Sequence, residues 1–109
     1  MSLITHFVAF KYKADVSEAE RHLIASRFSA LQDQCVHNGN WYVTVQGGRQ
    51  ISPEQTQASE YHHAWTVTFN STEERDFYLH EDPAHNAFRE FVGDKLESSF
   101  VFDLRNGEF

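Results

Sequence analysis

The chain has one cysteine, Cys35, in 109 residues. An intrachain disulfide is therefore excluded, as is a zinc site built from several thiolates, and the pattern suits a reducing compartment. Cations are scarce too: nine Lys and Arg stand against 16 Asp and Glu, giving a formal net charge of −7. Binding along a phosphate backbone needs clustered basic side chains, so no nucleic-acid partner is expected. Anionic membrane surfaces are disfavoured for the same reason. No apolar run approaches the length of a membrane span, so no membrane association is expected. The opening Met1-Ser2-Leu3-Ile4-Thr5-His6 has neither a basic start nor a long apolar stretch. No signal peptide is expected, and the expected location is the cytoplasm.

Aromatic residues are plentiful, at 15% with ten Phe, while the mean hydropathy is only −0.56. The apolar residues must then be concentrated on a few faces. A chain of this length makes one domain, 1–109, which buries a modest share of its surface and gains from a partner. Large aromatic side chains suit a small core, an interface or an apolar ligand.

Leu3 to Tyr12 alternates with apolar residues on both sides, which reads as a strand covered on both faces. Ser17-Glu18-Ala19-Glu20 is a capping box. The helix it opens carries Ile24, Phe28, Leu31 and Cys35 on one face and His22, Ser26, Ser29 and Asp33 on the other. Asn38-Gly39 is the expected helix stop. Trp41 to Gln46 is a second strand, broken by Gly47-Gly48. Arg49 to Glu60 is polar, a loop expected to act as a lid. Tyr61 to Asn70 is a third strand, with Tyr61, His63, Trp65, Val67 and Phe69 on one side. Ser71 to Glu74 is a second capping box, and Asp82-Pro83 restarts the helix beyond Tyr78. Phe88, Phe91, Val92 and Leu96 mark the buried face that follows. Ser99 to Leu104 is the fourth strand.

The order is βαββαβ, so the expected fold is α+β and ferredoxin-like, a four-stranded antiparallel sheet with helices on one face. The other face would show Phe7, Ala9, Ala64 and Val101 or Phe102 to water. A patch of that kind finds a partner, and two sheets packed face to face in a homodimer bury it.

His6 and His63 sit on strands at the edge of the helix-facing side, and are expected at the mouth of a pocket between sheet and helices. His85 enters from the head of the last helix and Tyr78 from the end of the preceding one. Polar tips in an apolar cavity make a small-molecule site. Histidine suits general-base work near neutral pH, and tyrosine can donate to a carbonyl oxygen that gains charge. Metal binding is not expected. His62 and His63 are adjacent on a strand and point to opposite faces, and Asp-Pro separates His80 from His85. His22 and His37 are expected at the surface.

The stretch Tyr78-Leu79-His80-Glu81-Asp82-Pro83-Ala84-His85, with His6-Phe7-Val8, Phe10-Lys11 and Tyr61-His62-His63, resembles the stress-responsive dimeric α+β barrel family over nearly the whole chain. The resemblance implies an eight-stranded barrel at a homodimer interface. Through the branch that closes polyketide rings, it also implies a cofactor-free intramolecular aldol closure. His85 then corresponds to the general base and Tyr78 to the carbonyl partner. His6 and His63 are pocket histidines, and Val8, Phe28, Trp65 and Phe88 line the site of a small apolar ligand. Four residues separate Tyr78 from Pro83, where that branch has three. Phe28 stands where the branch has a tyrosine, so it lines the pocket without donating. Two other functions fit the same chain: a non-enzymatic stress-response dimer, and a cofactor-free monooxygenase on the related dimer scaffold.

Overall fold

A computed structural model describes residues 3–109. The Met1-Ser2 start of the signal-peptide reading and the side chains of Gln57 and Ala58 lie outside that description. Strand β1 (Ile4–Tyr12) leads into α1 (Glu18–Ser29), where Ser17 Oγ accepts the Glu20 N–H at 3.2 Å. The helix tightens over Ala30–Asp33, and a hairpin of β2 (Val36–His37) and β3 (Asn40–Trp41) follows. Next come β4 (Thr44–Arg49), β5 (His63–Phe69), α2 (Thr72–His80), α3 (Pro83–Val92) and β6 (Leu96–Arg105). The main sheet is antiparallel with order β4-β5-β1-β6, the ferredoxin-like arrangement expected from the sequence. Among the described residues no helix is long and apolar enough to cross a membrane.

Three local expectations are corrected. Asn38-Gly39 does not end α1. Both residues have positive φ, 53° and 79°, and they form the two-residue turn joining β2 to β3. Cys35 is fully buried as expected, but it lies beyond the helix rather than on it. Gly47-Gly48 does not break a strand, because β4 runs through both. Gly47 pairs with Trp65, and a Cβ added there would collide with the indole Cδ1. The missing side chain is what lets Trp65 lie across β4.

The helix-facing side of the sheet presents Ile4, His6, Val8, Phe10 and Tyr12 from β1 and Trp65, Val67 and Phe69 from β5, all buried. Ile24 and Phe28 from α1 and Phe88 and Val92 from α3 close over them. Phe28 stacks on Trp65 with centroids 4.2 Å apart, and Phe10 and Phe88 pack around that pair. His37 is not a free surface group, because its ring lies 4.0 Å from that of Phe77.

The opposite face stays open. Register places Phe102 opposite Phe7, and Phe100 and Ala64 opposite Ala9. Phe102, 55% exposed, therefore belongs to this face, whereas Val101 faces the helices opposite Val8. The loop after β4 lies beside this open face. Gln50, Ile51, Ser52 and Thr56 line a groove of about 740 Å³ with Phe7, Ala9, Ala64 and Phe100. The lid expected of residues 49–60 thus sits on the side of the sheet away from α2 and α3.

Candidate active site

A second cavity of about 550 Å³ opens between the sheet and α2 and α3. Val8, Phe10, Phe28, Phe88 and Val92 form its apolar wall, and His6, Tyr78, His85, Arg89 and Asp103 bring polar groups to it.

His85 owes its place to the head of α3. Asp82 is the N-cap and is 1% exposed. Its Oδ1 accepts the Ala84 N–H at 2.9 Å and the His85 N–H at 3.4 Å, and Pro83 fills the first helical position, where no N–H is needed. On its other side Oδ2 accepts the Tyr42 hydroxyl proton at 2.6 Å. Burial and the neighbouring carboxylate push the Cys35 thiol and the Tyr42 phenol well up, so both stay protonated.

The imidazole of His85 stacks on the Tyr78 ring with centroids 3.8 Å apart. Its Nδ1 lies 2.7 Å from the Tyr78 backbone oxygen. A carbonyl can only accept, so Nδ1 carries the proton and Nε2 keeps a free lone pair. Burial is the main cause lowering the His85 pKa from its ordinary 6.5 to about 4. Arg89 and His6 push it the same way, against the bond to Tyr78 and the charge of Asp82. At neutral pH the ring is a free base.

Tyr78 is fully buried, and its hydroxyl is the one buried side-chain polar atom among the described residues with no hydrogen-bond partner. Burial raises its pKa, so the phenol keeps its proton. A buried hydroxyl without a partner costs about 1–3 kcal/mol.

His6 meets the Tyr78 ring edge-on at 6.1 Å. Its Nδ1 donates to Asp103 Oδ1 at 2.6 Å, and Arg75 Nη1 donates to Asp103 Oδ2 at 2.8 Å. Asp103, Asp82 and Tyr42 are absent from the sequence-derived candidates. Alternation along β6 puts Asp103 on the side of Val101, but only the β1–β6 register reveals that it faces His6. For Asp82 the helix-start pattern was the available signal, and it shows a cap rather than a partner for Tyr42.

The cavity therefore gathers His6, Val8, Phe28, Tyr78, His85 and Phe88, but not His63 or Trp65. Trp65 is sealed behind Phe28 as core. His63 lies opposite Phe10, whereas His6 lies opposite Val67, so the two histidines are about 13 Å apart along the sheet. The Phe28–Trp65 stack fills the space at that end. His63 Nδ1 instead sits 2.7 Å from the Tyr12 hydroxyl, and the residue borders the open-face groove. Among the described residues no three His, Cys, Asp or Glu gather closely enough to hold a metal ion.

A four-stranded ferredoxin-like sheet with helices on one face defines the class of molecule. Within that class the chain belongs to the stress responsive A/B barrel domain family, whose model matches residues 4–106. No curated protein sequence matches it. Among solved structures, the Arabidopsis thaliana protein At3g17210 is 20% identical with a TM-score of 0.81, over 97% of each chain. The hydroxynitrile lyase of Passiflora edulis is also 20% identical with a TM-score of 0.81, covering 98% of this chain and 96% of its own. A dimeric ferredoxin-like protein of unknown function from Thermobifida fusca is 15% identical with a TM-score of 0.73, over 95% and 91%. At these identities the likeness is one of fold.

Proposed function

We propose that the chain is a homodimer whose helix-side cavity binds a small apolar carbonyl compound and closes it by a cofactor-free intramolecular aldol reaction. The observation that carries this reading is the buried, partnerless Tyr78 hydroxyl beside the unprotonated Nε2 of His85. Nε2 takes a proton from a carbon next to a carbonyl, while the Tyr78 hydroxyl donates to the oxygen that becomes an enolate. The enolate carbon attacks a second carbonyl of the same chain, and the imidazolium returns its proton to the new alkoxide.

A base with a pKa of about 4 is weak. It is matched to a carbon acid already activated by two carbonyls, as in a linear polyketone, rather than to a simple ketone. His6 and its Asp103–Arg75 support form a second polar wall against which such a chain can be oriented.

The name of the Passiflora structure favours a second use of the same parts. In a hydroxynitrile, Nε2 would take the hydroxyl proton, the C–C bond would break, and cyanide would leave with the imidazolium proton. The carbonyl product would remain at Tyr78.

The dimer rests on the open face, where Phe7, Ala9, Ala64, Phe100 and Phe102 form an apolar band, and on the Thermobifida fusca relative being dimeric. An uncovered band of this kind is rare on monomers.

Turnover of a linear aliphatic tetraketone, read as the absorbance of the acyl resorcinol it forms, tests the cyclase reading beside mandelonitrile cleavage read as benzaldehyde. His85→Ala should lower the active reaction by about 100-fold or more without altering the sedimentation coefficient. Equal turnover in that variant would remove the base. Absence of both reactions, with no ligand retained by the purified protein, would leave a non-enzymatic dimer.

A further inference from the structure

Arg89 lines the same cavity and takes no part in the acid–base chemistry above. It follows His85 by four residues, one turn along the same side of α3. Its Nη1 donates to the Leu79 carbonyl at 3.0 Å, which employs one of the five N–H donors of a guanidinium. No carboxylate of the described residues pairs with it, although acids outnumber Lys and Arg by 16 to nine in the chain. The cavity's own acid, Asp103, is already held by His6 and Arg75. One cation with open donors thus stands at the exposed end of the cavity, with the buried Tyr78 hydroxyl and the imidazoles of His6 and His85 also in its lining. Its charge reaches inward, being among the influences on both the His85 ring and the Tyr78 phenol. A phosphate dianion would call for more than one such cation, whereas a carboxylate fits the planar fork of one arginine.

We propose that the natural ligand carries a carboxylate as well as a carbonyl, the carboxylate paired with Arg89 at the mouth and the carbonyl held at Tyr78. This names the substrate class of the site read above and rests on that reading. An apolar oxo acid, or a polyketide chain released as its free acid, has the required shape. A neutral ketone of equal length lacks the outer anchor.

Isothermal titration at neutral pH with two probes tests it: a phenyl ketone ending in a carboxylate, and the same ketone ending in a methyl amide. The carboxylate should bind about fivefold tighter, the value of one exposed charge-assisted pair. Arg89→Gln should remove that margin, and Arg89→Lys should restore part of it. Thermal melts of both variants show whether the fold is kept. Because Arg89 is exposed, its replacement leaves the core intact. Equal affinity of the two probes for the native chain would overturn the proposal while sparing the cavity reading. So would a margin that persists in Arg89→Gln. Binding of neither probe would overturn both.

Discussion

The sheet has a hollow on each side, and the larger of the two is the weaker candidate for chemistry. The open-face groove, at about 740 Å³, exceeds the helix-side cavity, at about 550 Å³. Two of its polar groups, however, are already engaged, although Arg49 also lines it. The Tyr61 hydroxyl bonds Ser98 Oγ at 2.7 Å, and His63 is taken up by Tyr12. The helix-side cavity holds a free imidazole nitrogen and a hydroxyl with no partner. Volume marks where something fits, whereas unsatisfied and titratable groups mark where something reacts. The open face suits the proposed second copy, and the helix side suits the proposed site.

The largest expected effect tests the open face. Replacing Phe100 and Phe102 together by Glu should weaken the proposed dimer by about 1000-fold, since central aromatic residues dominate such interfaces. Sedimentation velocity reads it, and a dimer that survives would move the interface elsewhere. The cavity groups should keep their arrangement, because both substitutions lie across the sheet from them.

Asp82→Ala should be the costliest change on the helix side. It removes the cap of α3, worth about 1 kcal/mol, and strands the buried Tyr42 hydroxyl at about 1–3 kcal/mol more. Chemical denaturation should therefore show a loss of about 2–4 kcal/mol. A loss below 1 kcal/mol would mean that α3 is held by its apolar face alone.

Acid should weaken the fold through His85. The folded chain keeps this ring neutral down to about pH 4, while the unfolded chain takes the proton near pH 6.5. Between those values the unfolded state binds more protons, so stability falls as pH drops from 6.5 and levels off below 4. The full difference is about 3 kcal/mol. Burial lowers the pKa of His62 and His63 as well, so they act with the same sign. Comparing the acid limb of the native chain with that of His85→Gln isolates the share of His85. Superimposable limbs would place that imidazole in water.

The smallest effect discriminates most sharply. Tyr78→Phe removes a hydroxyl that bonds nothing in the free chain, so stability should hold or rise by about 1 kcal/mol while carbonyl binding falls. If the variant melts lower, the hydroxyl has a partner in the free state and is not waiting for a ligand.

Much of this architecture was legible in the residues. Alternation placed β1, β5 and β6, and the capping residues Ser17, Ser71 and Asp82 placed the helix starts. Parity along a strand tells which face a side chain takes, and it puts His6 on the side of Val8 and Val67. Neighbours across strands depend on register, which one strand's sequence does not carry. His63 was therefore assigned to the cavity although it sits at the other end of the sheet. Asp103, 97 residues from His6 along the chain, carries no signal of that contact in the sequence for the same reason. Gly47 misled because glycine usually interrupts a strand, while here it clears room for an indole from the next strand.

The tether on the base comes from the peptide group of Tyr78 and not from its phenol. Tyr78 thus meets His85 twice, through its carbonyl and through its ring. Erasing the ring leaves the imidazole's leash intact, and no exchange of side chain at that position can cut it. Tyr78→Phe goes further and removes the hydroxyl while keeping both this tether and the stacked ring.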